Sequence, residues 1–547
     1  WFIKMKDISK EAHRAVMDDE VKLHPAKFKN TYNHWMENVR DWCISRQLWW
    51  GQRIPAWYAP EELTGSFDIK DLKFHYEVAE TEEEALNQFE TYYQNKGYSK
   101  SQIENALTNF VHQDRDVLDT WASSWLWPIS SFGGFEDAYF DKETGKINKA
   151  ANEELSFFYP TATLVTAPEI LFFWVARMII AGYEYLGEKP FEDVYLTGIV
   201  RDKQRRKMSK SLGNSPDPLD LIKQYGADGI RTGMLFSSPA GNDLLFDEKL
   251  CEQGRNFSNK IWNAFRLVDS WETTDETNET DAMAISWFES RLNQALTELE
   301  DHFSKFRMSD ALMVVYKLVW NDFCSAYLEW VKPDYQKPIN AETKAKTVEL
   351  FEELLKVLHP FMPFITEELW HAFAERSEEE ALIVTKWPKA GKWDEKILKN
   401  TDVLFEISTN IRNIRNSKQI AQKEALELVV ISQDAATIKA LIPSLKKMAN
   451  LSDVSVGTEK PANAASFVLA NHEFFIPLGD NVDAEAEKAR IEEELKYNKG
   501  FLLSVDKKLS NERFVAGAPA QVVEMEKKKK ADAEAKIKAL EEQLASL

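Results

Sequence analysis

Residues 162–200 read ATLVTAPEILFFWVARMIIAGYEYLGEKPFEDVYLTGIV, and this stretch decides the fold. Ala162-Thr163-Leu164-Val165-Thr166 is a short apolar run rich in β-branched side chains, and Val194-Tyr195-Leu196-Thr197-Gly198-Ile199-Val200 is a second. Such side chains pack well on a pleated surface, so both runs predict strands. Glu169 to Tyr185, between them, reads as a helix. Strand, helix and strand in that order predict a crossover joining parallel strands, an α/β sheet of Rossmann type.

Upstream of this unit, Tyr32, Trp35, Met36, Val39, Trp42 and Cys43 recur at helical spacing and predict an amphipathic helix over 28–46. Residues 60–111 are polar, acidic and weakly patterned, which reads as an insertion hung on the fold. Downstream, from about residue 248, the pattern becomes helix upon helix. Met308, Ala311, Leu312, Val315, Leu318 and Val319 mark one apolar face, and Val348, Phe351, Leu354, Leu355 and Leu358 another. Four units are therefore expected. They are the distal part of a Rossmann-type domain over 1–247, an all-α bundle over 248–405, a small α/β unit over 406–481 and an antiparallel coiled-coil hairpin over 482–547. The hairpin reading rests on Ile491, Leu495, Leu502, Val505 and Leu509, with a polar gap at Asn498, and on Ile537, Leu540, Leu544 and Leu547. Its turn falls at Gly517-Ala518-Pro519, and its exposed side chains read as Lys, Arg and Glu with no aromatic platform.

The chain of 547 residues is too long for one compact core. No apolar run reaches the ~18 residues that would cross a membrane, and the start Trp1-Phe2-Ile3-Lys4 has no leader pattern. Cys43, Cys251 and Cys324 are far apart, so no protein-bound zinc and no disulfide framework is expected, and a cytoplasmic setting fits. A net charge of −21 argues against non-specific nucleic-acid binding, but Arg201, Lys203, Arg205, Arg206, Lys207 and Lys210 crowd into ten residues.

The sharpest chemical signal closes that run: Lys207-Met208-Ser209-Lys210-Ser211, then Leu212-Gly213-Asn214. Two lysines three apart in a loop of small residues can both reach one polyphosphate. Phosphoryl or adenylyl transfer builds negative charge on phosphate oxygens, and mobile ammonium groups stabilise it.

This string resembles the second signature of class I aminoacyl-tRNA synthetases. The chain as a whole is similar to their valyl branch. The similarity is carried by Asp41 to Gly51 with Arg53 to Trp57, by Asp119-Thr120-Trp121 with Ser123-Ser124, by Phe172 to Met178 and by His359 to Phe364. Phe514-Val515 and Ala518-Pro519 at the hairpin turn match as well. The resemblance implies ATP-dependent activation of valine and transfer to tRNA(Val), with Mg²⁺ accompanying ATP as substrate, in a monomer. Lys207 and Lys210 would be catalytic. Lys207, Met208, Ser209, Lys210, Ser211 and Glu169 would contact ATP. Trp121, Ile170 and Trp174 would line the valine pocket, with Trp49 and Trp50 merely packing. Arg255, Lys260 and Arg266, on the helix that opens the bundle, would meet tRNA. No metal ligand is implied.

Two departures matter. None of the nine histidines sits in the family's HxGH string, which in the family lies upstream with the editing domain. This chain alone is therefore expected to bind tRNA but not to activate valine. In addition, Ala167-Pro168-Glu169 stands where the family usually has Gly-x-Asp. Two rivals remain open: an isoleucyl or leucyl enzyme, against which Leu48-Trp49-Trp50-Gly51 and the hairpin speak, and a non-catalytic tRNA-binding protein built from a synthetase body.

Overall fold

The computed structural model describes residues 1–63, 73–238, 241–432, 435–469, 472–478, 484–511 and 520–546. The chain divides into two compact units. One comprises Trp1–Ser215, Ser237–Phe246 and Phe306–Met308, and the other Pro216–Phe236, Asp247–Lys305 and Ser309–Leu547. Residues 216–236 thus group with the second unit, although the sequence pattern put them with 1–247.

The first unit is built on a parallel sheet of Thr161–Thr166, Phe191–Leu196 and Lys22–His24, in that order. Leu164 stands opposite Val194, and Val194 opposite Leu23. The two runs quoted above are therefore neighbouring strands. The second strand ends at Leu196, because Val200–Arg201 leaves it to pair with Leu244–Leu245. Among the described residues Thr161–Thr166 has a ladder partner on one edge alone, and Val165 is 60% exposed. The connecting helix enters through a 3-10 turn at Pro168–Ile170, widens into a π-type turn at Leu171–Val175 and continues as α-helix over Ala176–Tyr185. Leu171, Val175, Met178, Ile179 and Ile180 pack with Leu23, Val194 and Leu196 and with the helices Met5–Met17 and Lys27–Glu37.

One expectation fails in this unit. The helix over 28–46 stops at Glu37; Trp42–Cys43 and Ser45–Arg46 are short strands, pairing with Phe2–Ile3 and Val117–Leu118. Trp42 is apolar but serves a buried hydrogen bond, and helical spacing cannot reveal that. The weakly patterned stretch has a core of its own. Trp57, Ala59, Phe89, Tyr93 and Ile103 close it between an antiparallel sheet and the helices Glu82–Asn95 and Lys100–Asn109. Its acids do local work: Glu82, Glu83 and Glu84 fill the first turn of a helix whose Thr81 cap accepts from the Glu84 amide, and negative charge is favourable there.

In the second unit one apolar core runs continuously from Phe257 to Ile476. It joins the helices Glu248–Asp269, Asp281–Ser304, Ala341–Leu358, Pro363–Phe373 and Glu395–Ser417 to a four-stranded sheet. In that sheet Leu426–Ser432 pairs parallel with Leu451–Gly457 across the helix Ala435–Ala449, and antiparallel with His472–Pro477. Residue 405, read as the end of the bundle, falls inside the helix Glu395–Ser417. Near the end of that helix Arg415, 1% exposed, donates to the carbonyls of Ala421, Glu424, Ala449 and Asn450 at 2.7–3.1 Å. Ala449 ends its helix, so the guanidinium satisfies carbonyls that the helix itself cannot.

At the C-terminal end the helices Ala484–Leu509 and Ala520–Ser546 lie side by side. Lys499 pairs with Glu541 and Lys508 with Glu526, so they run in opposite directions. Ile491, Leu495 and Leu540 pack together, and the polar gap Asn498 is 7% exposed, its amide turned back to the Glu494 carbonyl. Leu547 and the turn, with Phe514, Val515 and Gly517-Ala518-Pro519, lie outside the described residues, as do the Lys488 and Arg490 side chains. Exposed apolar side chains stand on this pair after all: Tyr497 is 73% exposed and Phe501, one turn on, 40%.

Replacing Arg415 by leucine removes a donor from each of these four carbonyls, of which those of Ala421, Glu424 and Asn450 keep a second one, and takes away the group that ties them together. We expect a loss of about 3 kcal/mol in the unfolding of this unit, read as a lower urea midpoint; an unchanged midpoint would contradict the role given to Arg415.

Candidate active site

The lysine loop is a tight reversal built on one carboxylate. Arg201 and Lys207 form an antiparallel bridge, the Asp202 amide donates to the Arg206 carbonyl at 2.9 Å, and Arg205 takes a left-handed φ of 63°. The Asp202 side chain is 7% exposed. It accepts from the Gln204 amide at 3.0 Å, the Arg206 amide at 2.9 Å, Arg206 Nε at 2.8 Å and Asn214 Nδ2 at 3.0 Å. The Asn214 bond, with the Arg206 amide and guanidinium, pulls the Asp202 carboxyl down to about 2 against the opposing effect of burial. Asn214 then reaches across the loop: its Oδ1 accepts from the Ser209 amide at 2.9 Å, and its Nδ2 also donates to the Lys207 carbonyl at 3.3 Å. Ser209 caps the 3-10 turn Lys210–Leu212, which Gly213 ends with a φ of 64° that glycine adopts without strain.

This scaffold sorts the cations of the basic run. Arg201 is bound to Asp243 at 2.5 Å and Arg206 to Asp202 at 2.7 Å. Lys207 Nζ lies 2.8 and 3.0 Å from the two oxygens of Glu169. The structure thus brings together two residues 38 apart that the sequence assigned to ATP. Both ends of this pair are about half exposed, and such pairs contribute less than ~1 kcal/mol. An incoming polyphosphate can therefore take the ammonium from Glu169. Lys210 is exposed and has no ion pair among the described residues; Ser211 is exposed and Met208 half-buried.

A second buried carboxylate organises the aromatic side of the unit. Asp119 Oδ2 accepts from Trp42 Nε1 at 3.0 Å and from Arg46 at 2.5 Å, while Oδ1 accepts from the Trp121 amide at 3.1 Å. Arg177 stacks on the Trp42 ring at 3.5 Å, and burial pushes its guanidinium down to about 10. Trp121 is half-buried beside Phe173, and Trp174 donates to the Ser124 carbonyl at 2.9 Å. Both pack on the central core, while Ile170 is half-buried in the turn Pro168–Ile170. Trp49 and Trp50, read as packing, are 105% and 87% exposed, because residues 47–52 loop out between Arg46 and Arg53, which both pair with Val117. Sequence reasoning missed Asp119, Asp202 and Asn214. A signal for each was present: Asp119 opens the string Asp119-Thr120-Trp121, Asp202 is the one acid in the basic run, and Asn214 closes the signature string.

In the second unit Arg255 lies near Glu252 at 3.6 Å and over the Tyr225 ring at 5.8 Å. Lys260 rests over Trp320 at 5.7 Å, and Arg266 is exposed. A cavity of about 770 Å³ lies beside the end of that helix, lined by Leu267, Trp271, Lys332, Tyr335, Lys337 and Lys447 among others, with Tyr335 90% exposed.

Residues 1–247 match the family of class I tRNA synthetases (I, L, M and V), 286–430 the anticodon-binding domain of tRNA ligases, and 483–547 the valyl tRNA synthetase tRNA-binding arm. Valine–tRNA ligases of Parabacteroides distasonis and Christiangramia forsetii are 52% and 53% identical over the whole of this chain. The chain belongs to the valyl-tRNA synthetase family. It spans 59% of the length of each of these family members. The valine–tRNA ligase of Chlorobaculum tepidum is 38% identical over 97% of this chain and 57% of its own length. Among solved structures, Mycobacterium tuberculosis methionyl-tRNA synthetase bound by methionyl-adenylate is similar at a TM-score of 0.46 and 16% identity, over 72% of this chain and 67% of that one.

The depressed Asp202 carboxyl gives the synthetase loop a defined pH dependence. A carboxylate whose pKa falls on folding stabilises the fold above the ordinary carboxylate range and stops doing so as pH falls through its folded value. Hydrogen-exchange protection of the Arg206 and Ser209 amides should persist from pH 7 to about 4 and vanish on approach to pH 2. Loss already between pH 7 and 5 would contradict the assignment.

Proposed function

We propose that this chain is the part of a valine–tRNA ligase that carries the lysine loop and the tRNA-binding surfaces. The observation that carries the reading is the seated loop: two lysines of KMSKS, one exposed and one in a weak pair with Glu169. In the proposed reaction the valine carboxylate attacks the α-phosphorus of ATP, the bond to the bridging oxygen breaks, and pyrophosphate leaves. Lys207 and Lys210 stabilise the charge that grows on the leaving group. Met208, Ser209 and Ser211 shape the loop around the phosphates, and Glu169 faces the nucleotide. A ribose hydroxyl at the end of tRNA(Val) then takes the acyl group and AMP departs. ATP brings Mg²⁺ with it. Trp121, Ile170 and Trp174 form the proposed wall of the valine pocket. Flat, rigid rings exclude larger side chains by volume but do not strongly reject threonine, a weakness for which valyl enzymes are themselves the standard illustration.

The second unit is proposed to hold the tRNA. Unpaired bases are recognised by stacking and by hydrogen bonds to their edges. The cavity beside Leu267 offers Tyr335 as an exposed ring, with Lys332, Lys337 and Lys447 around it. Arg255, Lys260 and Arg266 lie on the helix leading there. The paired C-terminal helices form the proposed coiled-coil arm. Their lysines suit phosphate contacts, which position a nucleic acid without reading its sequence. The helical bundle and the small α/β unit stand as parts of one such body, active in the cytoplasm as a monomer. The rival readings lose their support to the 52% identity with valine–tRNA ligases.

The test uses the full-length enzyme. Lys210→Ala should slow single-turnover valyl-adenylate formation on the order of 10²-fold or more and leave valine affinity in place, because a group aimed at developing charge acts on rate. An unchanged rate with weakened valine binding would refute the role. For tRNA, deleting residues 482–547 should reduce the slope of log K against log salt by roughly one for each lost phosphate contact. Preference for the valine anticodon should survive. Equal slopes would remove the arm from the electrostatic interface.

A further inference from the structure

We propose that Asp202 is a positioning residue for adenylate formation, acting through Asn214 to set where the ammonium groups of Lys207 and Lys210 stand. The inference rests on the proposed role of those lysines and extends it to a group that meets no substrate. A lysine loop has a conflict built in. Its cations must be mobile enough to follow the phosphates, yet chain entropy and mutual repulsion favour a disordered loop. The structure resolves this by fixing the backbone and freeing the side-chain tips. Asp202 is nearly buried at the base of the reversal and accepts four hydrogen bonds from Gln204, Arg206 and Asn214. Asn214 carries that constraint to the working residues, at the Lys207 carbonyl and the Ser209 amide. Ser209 is in turn the cap from which Lys210 starts its turn. The two lysines therefore hang from one amide, and the amide is oriented by one carboxylate.

The charge on Asp202 matters for a chemical reason. Its oxygens meet donors on every side: two backbone amides, a guanidinium and the Asn214 NH₂. The substitution Asp202→Asn puts a further donor among them. If the new NH₂ faces Asn214, two donors oppose each other; if it flips, it faces the Gln204 and Arg206 amides. Either way one constraint is lost. A slowed rate beside unchanged valine affinity distinguishes positioning from a general loss of the folded site.

The experiment compares Lys207→Ala, Asp202→Asn and Asn214→Ala in the full-length enzyme. Single-turnover adenylate formation, valine affinity and thermal midpoint are measured for each. Asp202→Asn and Asn214→Ala should each slow adenylate formation on the order of 10- to 100-fold, as a displacement near 1 Å costs. Valine affinity and thermal midpoint should stay as in the parent. A full rate in Asp202→Asn beside a slow Lys207→Ala would overturn the inference while leaving the lysine assignment standing. So would a rate loss in both variants matched by a fall in valine affinity or in thermal midpoint. A full rate in Lys207→Ala would overturn the lysine assignment itself, and this inference with it.

Discussion

The carboxylate of Asp202 is the constraint on which the lysine loop depends. It sits where a chain must reverse direction while carrying six cations within ten residues. Without a buried acceptor, the amides of Gln204 and Arg206 would need water, and the loop would spread to separate its charges. With it, Arg206 is neutralised in place, Asn214 is oriented, and the backbone from Lys207 to Ser209 is held. The same arrangement decides which cations remain accessible. Arg201 and Arg206 hold the loop together through Asp243 and Asp202, whereas Lys207 has an exchangeable partner and Lys210 an exposed side chain. A basic run that looks like one patch in sequence is two groups with different work.

Buried charge is used in the same way elsewhere. Asp119 ties Trp42, Arg46 and the start of the Trp121 turn, and so fixes aromatic rings that apolar packing alone would leave free to slide. In the second unit Asp228 accepts from the Phe364 and Ile365 amides at the start of the helix Pro363–Phe373, and Arg231 donates to the Pro360 and Phe361 carbonyls just before it. Burial holds the Asp228 carboxyl above the ordinary carboxylate range, while the amides oppose that shift. Arg415 does the converse at a helix end, filling four carbonyls. A buried charge is costly unless every lone pair or proton is used, so each of these groups specifies one local geometry.

For the proposed reaction the two kinds of order complement each other. Pocket walls need rigidity, and the rings of Trp121 and Trp174 are anchored by packing and by a hydrogen bond to a carbonyl. Phosphate chemistry needs charges that can follow a leaving group, and the half-exposed Lys207–Glu169 pair is weak enough to be exchanged.

The parallel strands, the helix between them and the helical run beyond residue 248 were legible because each is written in local periodicity: β-branched runs of short length, then apolar residues every three or four. The signature string named the lysines for the same reason, as a fixed order of residue types. The partners of these residues were not legible. Asp202 and Asn214 lie twelve apart, Lys207 and Glu169 thirty-eight, and Trp42 and Asp119 seventy-seven. No period in the sequence marks such pairs. Trp42 reads as a helix-face residue and works as a hydrogen-bond donor in a strand, while Trp49 and Trp50 read as packing and stand in solvent. Local sequence determined most of the elements and the order of residue types in the lysine loop. The tertiary structure alone decided which charges are spent on holding the loop and which are left accessible, because that choice depends on partners brought together only when the chain has folded.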